Sequence, residues 1–533
     1  MLTLSRPEIA RLITRGHLLV LHDERVYRLN NWASKHPGGV FSILHFVGRD
    51  ASDELEAYHD ERIQATFKSF QVAEVRKEDL TDGWDPLWPP LEAHVGWENL
   101  PMEIWSQTES WNAGLRGIGK LPPAEKQEAI VKARLSELSP EQLEPPSSSV
   151  DKKQQHEMSM AYKKLHQQVI DKGLYEPTPL SNYRYELLRY TLFFVAAMAF
   201  YFKGSQTWHF LASAIFLGLW KHQITFVVHD AGHRGVFGEF WKDRVLACSI
   251  ASFCGGLSAL WWCDNHNTHH SPFLTHFFLQ NHTEHDPDIQ HMPFFAISTS
   301  FCDSLWSTYY RRFLWFDRPA QFLLTVQHKL YYVLLAFGRP NLFANSYGYL
   351  LKKAKPGFYR NLEFVGIAIF WCWFTALLRG LPSPGMRVVY VLACFITTSP
   401  LHVQIVLSHF GQSTEDLGPA ESFPHRQLRT TMDVDCPTYL DWMHGGLHMQ
   451  VSHHLFPRVP RHNLRAVNSM LQDYVKQFAH LGTVQYETHT FVKGNKKVLG
   501  VLAGVASQVK ALQEVASENV KIKAKEMRAQ LKE

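Results

Sequence analysis

Three short stretches carry side chains that could assemble a metal site: HDAGH (His229, His233), HNTHH (His266, His269, His270) and QVSHH (Gln450, His453, His454). On a helix, positions i, i+3 and i+4 share a face, so each stretch can aim two or three imidazoles at one point. Imidazole suits zinc, copper, iron and nickel alike, so the donor type does not name the metal. One zinc ion takes about four ligands, and seven histidines from three segments therefore point to two metal ions. HDAGH lacks the glutamate that makes HExxH a hydrolytic motif, which removes a metallohydrolase. Gln450 stands where HNTHH has a histidine. Its amide oxygen is a weaker, harder donor than imidazole, and the side chain can hydrogen-bond instead of ligating.

A second pair lies near the start, with His36 in HPGG and His59 in LEAYHDE. Pro37 fixes its backbone, and Gly38 and Gly39 accept conformations that other residues avoid, so HPGG ends an element on a tight turn. With Trp32 before it and GRDASDELEAYH after it, this block resembles cytochrome b5. The resemblance implies heme b gripped from both faces by His36 and His59. His45 lies too near His36 in sequence to reach across the heme plane. With both axial positions filled there is no open site for oxygen or substrate, so the module carries electrons. An electron carrier fused to the histidine stretches implies redox iron rather than zinc.

The elements that must position these residues fall into four segments. A chain of 533 residues is too long for one compact core. Residues 1–80 read as a small α+β, cytochrome b5-like domain. Residues 81–180 turn to Pro, Ser and charge (WDPLWPP, PPSSSVDKKQQHE) and read as a linker with a pre-membrane helix ending at Gly173. Apolar runs at 185–203, 208–228, 364–381 and 387–408 approach the roughly 20 residues that a bilayer crossing takes. Residues 181–495 are therefore expected to form an all-α transmembrane domain with about four membrane helices and cytosolic histidine-box helices. Lys221 and Pro400 interrupt two of the runs. Segments 248–262 and 322–337 are shorter or more amphipathic and are expected in the membrane interface. An even number of crossings returns both termini to one side, the cytosol. Residues 496–533 read as a polar, solvated or surface-bound helix.

Composition agrees with a mixed chain, since 45% of residues are hydrophobic and 13% aromatic while mean hydropathy is only -0.20. A net charge of +4 offers no basic stripe for nucleic acid. The seven cysteines form no CxxC and read as reduced thiols, mostly core-filling. MLTLSRPEIARLI carries charge where a secretory signal would be apolar, so the first block is expected in the cytosol.

Across nearly the whole chain, WWCDNHNTHH, EHDPDI and GGLHMQVSHHLFPR resemble cytochrome b5-fused membrane desaturases of the front-end type, which carry glutamine at the start of the third box. ESFPHRQLRTTMDVDCPTYLDWMHGGLHMQVSHHLFPRVPRHNLR is most similar to fungal sphingolipid 8-desaturases. The resemblance implies two non-heme irons held by the box histidines, with His409 in LSHFG completing the shell and Gln450 among the catalytic residues. It also implies O2 as co-substrate, and electrons from NADH-cytochrome b5 reductase. The implied product is an 8-double bond in the long-chain base of a ceramide, made in the endoplasmic reticulum membrane. A front-end fatty acyl desaturase acting at the 6- or 5-position and a cytochrome b5-fused lipid hydroxylase are the alternatives, and a zinc-binding electron carrier is a third. His276, His282, His285, His402, His444 and His448 match no role in the family.

Overall fold

A computed structural model of the chain describes residues 2–33, 36, 41–89, 135–136, 138–145, 149–270, 281, 283, 286–307, 309–310, 312–482, 484 and 486–530. Residues 37–39 of HPGG, residues 90–134 of the linker, and His276, His282 and His285 lie outside that set.

The first block contains β1 (Thr3–Leu4), α1 (Arg6–Thr14), β2 (Leu19–His22), β3 (Arg25–Arg28), α2 (Asn30–Ala33), α3 (Phe41–Leu44), α4 (Ser52–Tyr58), α5 (Glu61–Phe67) and β4 (Gln71–Val75). The four strands form one sheet in the order β1-β4-β3-β2, parallel only between β1 and β4. Ser5 and Glu8 open α1 as a reciprocal capping box. Ile9, Ile13, Val26, Tyr27 and Val47 build the core on the sheet. This is the expected α+β domain.

Helix α6 (Lys152–Asp171) follows, capped by Asp151 on the Gln154 amide. It is a strut between the two halves of the molecule. On one side Ser159 donates to Asp53 (2.6 Å) and Lys163 to Asp23 (2.8 Å). On the other, Tyr162 donates to the Leu455 carbonyl (2.7 Å) and Tyr474 to that of Met158 (3.0 Å). The residues read as linker thus include a helix buried against both domains.

The helical domain starts with α7 (Pro179–Phe202) packed along α8 (Thr207–Gly232). Then come α9 (Phe240–Ser249), a π-turn over Ile250–Gly255, and α10 (Ala259–His270). Next are β5 (Leu305–Ser307), β6 (Arg312–Leu314), α11 (Arg318–Ala336), α12 (Gly338–Lys352), α13 (Phe358–Arg379), α14 (Pro384–Thr397) and α15 (Ser399–Phe410). The chain ends with α16 (Phe423–Thr430), β7 (Met432–Asp435), α17 (Asp441–His444), α18 (Gln450–Leu455), α19 (Leu464–Phe478), β8 (Glu487–Thr490) and α20 (Phe491–Gln530).

Among the described residues, four helices are long and apolar enough to cross a membrane: α8, α13, the α14–α15 pair, and Phe491–Lys523 of α20. The number matches expectation, but the membership differs. The run at 185–203 lies in α7, whose first half carries Arg184, Glu186 and Arg189. Glu186 accepts from His462 (2.9 Å) and pairs with Arg461, and Arg189 donates to Gln223 (2.9 Å). Helix α20 begins before the expected boundary, and its first half is packed rather than solvated. Val498, Leu502, Val505 and Val509 form an i, i+4, i+7, i+11 stripe in one core with Leu324 and Tyr331 of α11 and Leu407 of α15.

Lys221 is buried in α8 with its ammonium over the rings of Phe370 and Phe374 of α13, 4.8 and 4.4 Å from their centroids. The rings' negative faces partly replace water there. Pro400 sits in the first turn of α15, where a missing N–H leaves nothing unpaired. The segment expected in the interface around 248–262 is the bend between α9 and α10, which meet at 117°. Gly256 makes that bend at φ +69°, and a Cβ on it would meet the Phe370 ring at 2.4 Å. Glu363 of α13 caps α10, accepting from the amides of Ala259 (2.7 Å) and Leu260 (3.1 Å).

Candidate metal centre

The ends of four helices converge. The last turn of α8 supplies His229, and His233 is its C-cap. His266, His269 and His270 close α10, His409 lies in the last turn of α15, and His453 and His454 lie on α18. Close approach of the Trp262 ring to the Gly232 backbone makes this possible at HDAGH, because a Cβ on Gly232 would meet that ring at 2.2 Å. Trp262 in turn stacks on His266, centroids 4.4 Å apart. Helix α18 is anchored from below by Asp433 of β7, which accepts from the Val451 amide (2.8 Å), Asn468 (2.7 Å) and Tyr486 (2.8 Å).

The eight histidines divide into two groups. His229, His233, His266, His270 and His453 have ligand nitrogens all within 4.8 Å of one another, and so do His269, His409 and His454. The groups adjoin, since the His270 and His454 rings stack at 4.1 Å. Nε2 atoms of His266 and His229 lie 3.2 Å apart, those of His270 and His266 3.0 Å, and those of His269 and His409 3.3 Å. Two nitrogens bonded at roughly 2 Å to one ion stand no more than about 4 Å apart, so these pairs fit a shared metal. The Nε2 atoms of His233 and His453 are buried with no protein hydrogen-bond partner. Burial and neighbouring rings push His453 and His454 far below the ordinary imidazole range, which leaves them neutral donors. The donor set suits two ions of the imidazole-loving metals.

Carboxylates stand behind the rings. His269 Nδ1 donates to both oxygens of Asp286 (3.0 and 2.9 Å). Asp230 Oδ1 lies 3.7 Å from His229 Nδ1, and Asp288 Oδ2 4.0 Å from His266 Nδ1. The Asp286 contact fixes the His269 tautomer that leaves Nε2 free and raises its basicity, while Asp230 and Asp288 act on their rings only through charge. Asp230 lies within HDAGH, and Asp286 and Asp288 within EHDPDI. Those motifs were visible in the sequence, but the pairings depend on tertiary contact.

Gln450 joins neither group. Its Nε2 lies 3.1 Å from His454 Nε2, and the residue lines an adjoining cavity of about 500 Å³. His229, His266, His269 and His409 line that cavity, and Phe226, Leu257, Phe295, Leu342, Leu401 and Ile405 are among its apolar walls. Tyr310, Arg312, Asn341 and Asn345 add polar groups. His402 reaches the cavity but spends Nδ1 on the Leu335 carbonyl (2.8 Å). His444 is bonded to Gln404 (2.5 Å), and His448 lies 3.3 Å from Asp441.

In the first domain the rings of His36 and His59 face each other with centroids 6.2 Å apart. Two metal–nitrogen bonds of roughly 2 Å plus two ring radii come to about the same length, so one iron fits between them. His59 Nδ1 lies 3.2 Å from the Leu55 carbonyl, which orients Nε2 outward, and burial followed by His36 lowers its pKa to about 4. His45 is buried in the domain core.

This domain is docked on the histidine groups. Arg458 donates to the carbonyls of Ala57 and Glu56 (both 3.1 Å), Arg234 pairs with Asp60 (3.3 Å), and the Tyr58 hydroxyl donates to the His270 carbonyl.

Residues 206–484 match the family model for fatty acid desaturases, and residues 5–76 match that for the cytochrome b5-like heme/steroid binding domain. The chain is 38% identical over 539 residues to a Delta 8-(E)-sphingolipid desaturase of Komagataella phaffii, covering 95% of this chain and 94% of that one. It is 37% identical over 543 residues to the protein of the same name from Emericella nidulans, covering 96% of each. A Delta(8)-fatty-acid desaturase of Borago officinalis is 28% identical over 505 residues, covering 93% of this chain and 92% of its own. The cytochrome b5-like domain implies heme, and the desaturase domain implies iron and O2. The chain therefore belongs to the fatty acid desaturase family, as a membrane oxidoreductase with a cytochrome b5-like domain at its amino end.

Proposed function

We propose that this protein introduces an E double bond at the 8-position of the long-chain base of a ceramide. The observation that carries the reading is that members of both histidine groups line one large, mostly apolar cavity. The fungal relatives' names supply the position, the geometry and the lipid class, and favour them over 6- or 5-desaturation of fatty acyl chains. Two irons would be held, one by His229, His233, His266, His270 and His453, the other by His269, His409 and His454. With O2 and two electrons they supply the oxidising power needed to take two hydrogens from a saturated chain, which offers side-chain acids and bases no acidic proton.

The chain's own residues do the rest. Asp286 holds the His269 tautomer, and Asp288 and Asp230 place negative charge behind His266 and His229. Gln450 stands on the cavity wall beside His454, where it restricts how closely the chain approaches. Phe295, Leu257 and Ile405 exclude water and fix which methylene faces the histidines, because neighbouring methylenes differ only in position. Tyr310, Asn341 and Asn345 offer hydrogen bonds to the hydroxyls and amide of the base. His36 and His59 grip heme b, which an NADH-cytochrome b5 reductase reduces. The docked heme domain and the histidines share one face of the apolar helices, which supports a cytosolic placement of both at the endoplasmic reticulum membrane.

Expression in yeast that lacks the activity, with mass spectrometry of its long-chain bases, tests this reading. The expected product has lost two hydrogens at position 8, with E geometry. A product that gained one oxygen, or altered fatty acyl chains with unaltered bases, overturns it.

A further inference from the structure

We propose that Tyr58 is the electron contact between the heme and the five-histidine group, with Arg458 and Arg234 as the clamp that sets its position. Tyr58 is bonded in sequence to His59, and its hydroxyl donates to the backbone carbonyl of His270. From a residue at the heme to a residue of the second redox site, the connection is covalent except for that hydrogen bond. The phenol is half-buried, with Phe423 packed edge-on at 6.3 Å.

The clamp is built at the same place. Helix α4 ends at Tyr58, and its last carbonyls have no partner inside the helix. Arg458 satisfies two of them, at Ala57 and Glu56. The cationic side chain also complements the negative end of the helix dipole. Arg234 holds Asp60, the N-cap of the next helix. Each arginine is a close chain neighbour of a histidine in the site: Arg234 follows His233, and Arg458 lies four residues after His454. Arg234 is also one of the few non-glycine residues at positive φ (+63°), a conformation kept where the surroundings over-determine it. Docking geometry and histidine placement are thus fixed by the same two loops. At each passage ferrous heme is oxidised to ferric and the second site gains one electron, while the Tyr58 hydroxyl keeps its proton. Two passages serve one double bond, and an external NADH-dependent reductase restores the heme.

The inference rests on the presence of two redox sites, not on which carbon is oxidised. The test uses the full-length holoenzyme in membranes, reduced anaerobically through reductase and NADH, then mixed with O2 and lipid while heme absorbance is followed. His270→Ala gives the background rate of heme oxidation. Tyr58→Phe should keep the heme spectrum, the rate of reduction by the reductase and the hydrogen-exchange protection of residues 52–59, yet slow reoxidation severalfold, because the path to the His270 carbonyl then ends in a through-space gap. Arg458→Gln should slow reoxidation together with a loss of that protection. Reoxidation of Tyr58→Phe at the wild-type rate overturns the proposal, as does slowing that merely follows a changed spectrum or lost protection. A defect confined to the position of the double bond would instead count against the 8-position reading.

Discussion

At the scale of single residues, the division into five and three histidines makes different side chains answer for different losses. His270→Ala and His453→Ala should abolish product while the heme absorption bands persist, and His36→Ala should remove those bands and stop turnover. Optical spectra beside a lipid profile distinguish the two, and retained product in the His270 variant would refute the ligand assignment. Asp286 never reaches the centre of its group but holds His269 through two contacts. Loss of such a partner typically weakens metal affinity about 10–100-fold. Asp286→Asn should therefore show less non-heme iron per heme after dialysis against a chelator, with the heme content unchanged. The histidine types and spacings were legible because helical periodicity alone groups them. Which histidines share a group was not, since HNTHH divides between both: His266 and His270 go one way and His269 the other.

At the scale of elements, the bend before α10 aims HNTHH. Gly256→Ala would force a Cβ into the Phe370 ring from a left-handed backbone. Overpacking of this kind costs roughly 1–3 kcal/mol, so thermal unfolding of the membrane domain should shift down while the heme spectrum holds. Glu421, just before α16, is fully enclosed by Arg426 (2.7 Å), His425 (2.8 Å) and Arg429 (2.9 Å). Burial alone would raise its carboxyl, but the two guanidiniums and the His425 hydrogen bond outweigh burial and hold it far below the ordinary range. Glu421→Gln leaves buried cations uncompensated and should destabilise by about 3–5 kcal/mol, read from denaturant or thermal unfolding. Most helices follow from apolar runs, and where expectation and structure differ the cause is nameable. Helix α7 is apolar only beyond Arg189. The 498–509 stripe of α20 is a core face flanked by Lys496, Lys497 and Lys510, and the helix reads as surface until α11 and α15 are placed beside it.

At the scale of the whole molecule, docking of the heme domain was the feature least visible in sequence. Arg458, Arg234 and Tyr58 lie in three distant segments, and nothing in their local pattern marks them as partners. Docking also brings acid groups out of water. Burial, countered in part by Arg49 for Glu54 and by Lys163 for Glu56, raises both carboxyls from the usual 4.5 to about 7. Each therefore binds its proton more tightly in the folded, docked chain than in water, so that state is favoured on the acid side. The contribution of these two carboxyls should weaken as pH climbs from about 4.5 to about 7. Hydrogen exchange of residues 52–59 across that range reads the effect, and Glu54→Gln should remove the Glu54 contribution.

On the proposed assignment, both imidazoles that would hold the porphyrin belong to the first block, whereas the rings that would hold two irons are drawn from His229 through His454. A nascent chain can thus load its porphyrin while the ribosome is still far from the third box. Iron must wait until translation has passed residue 454 and the helices have assembled, so a stalled or truncated polypeptide would be red and yet inert.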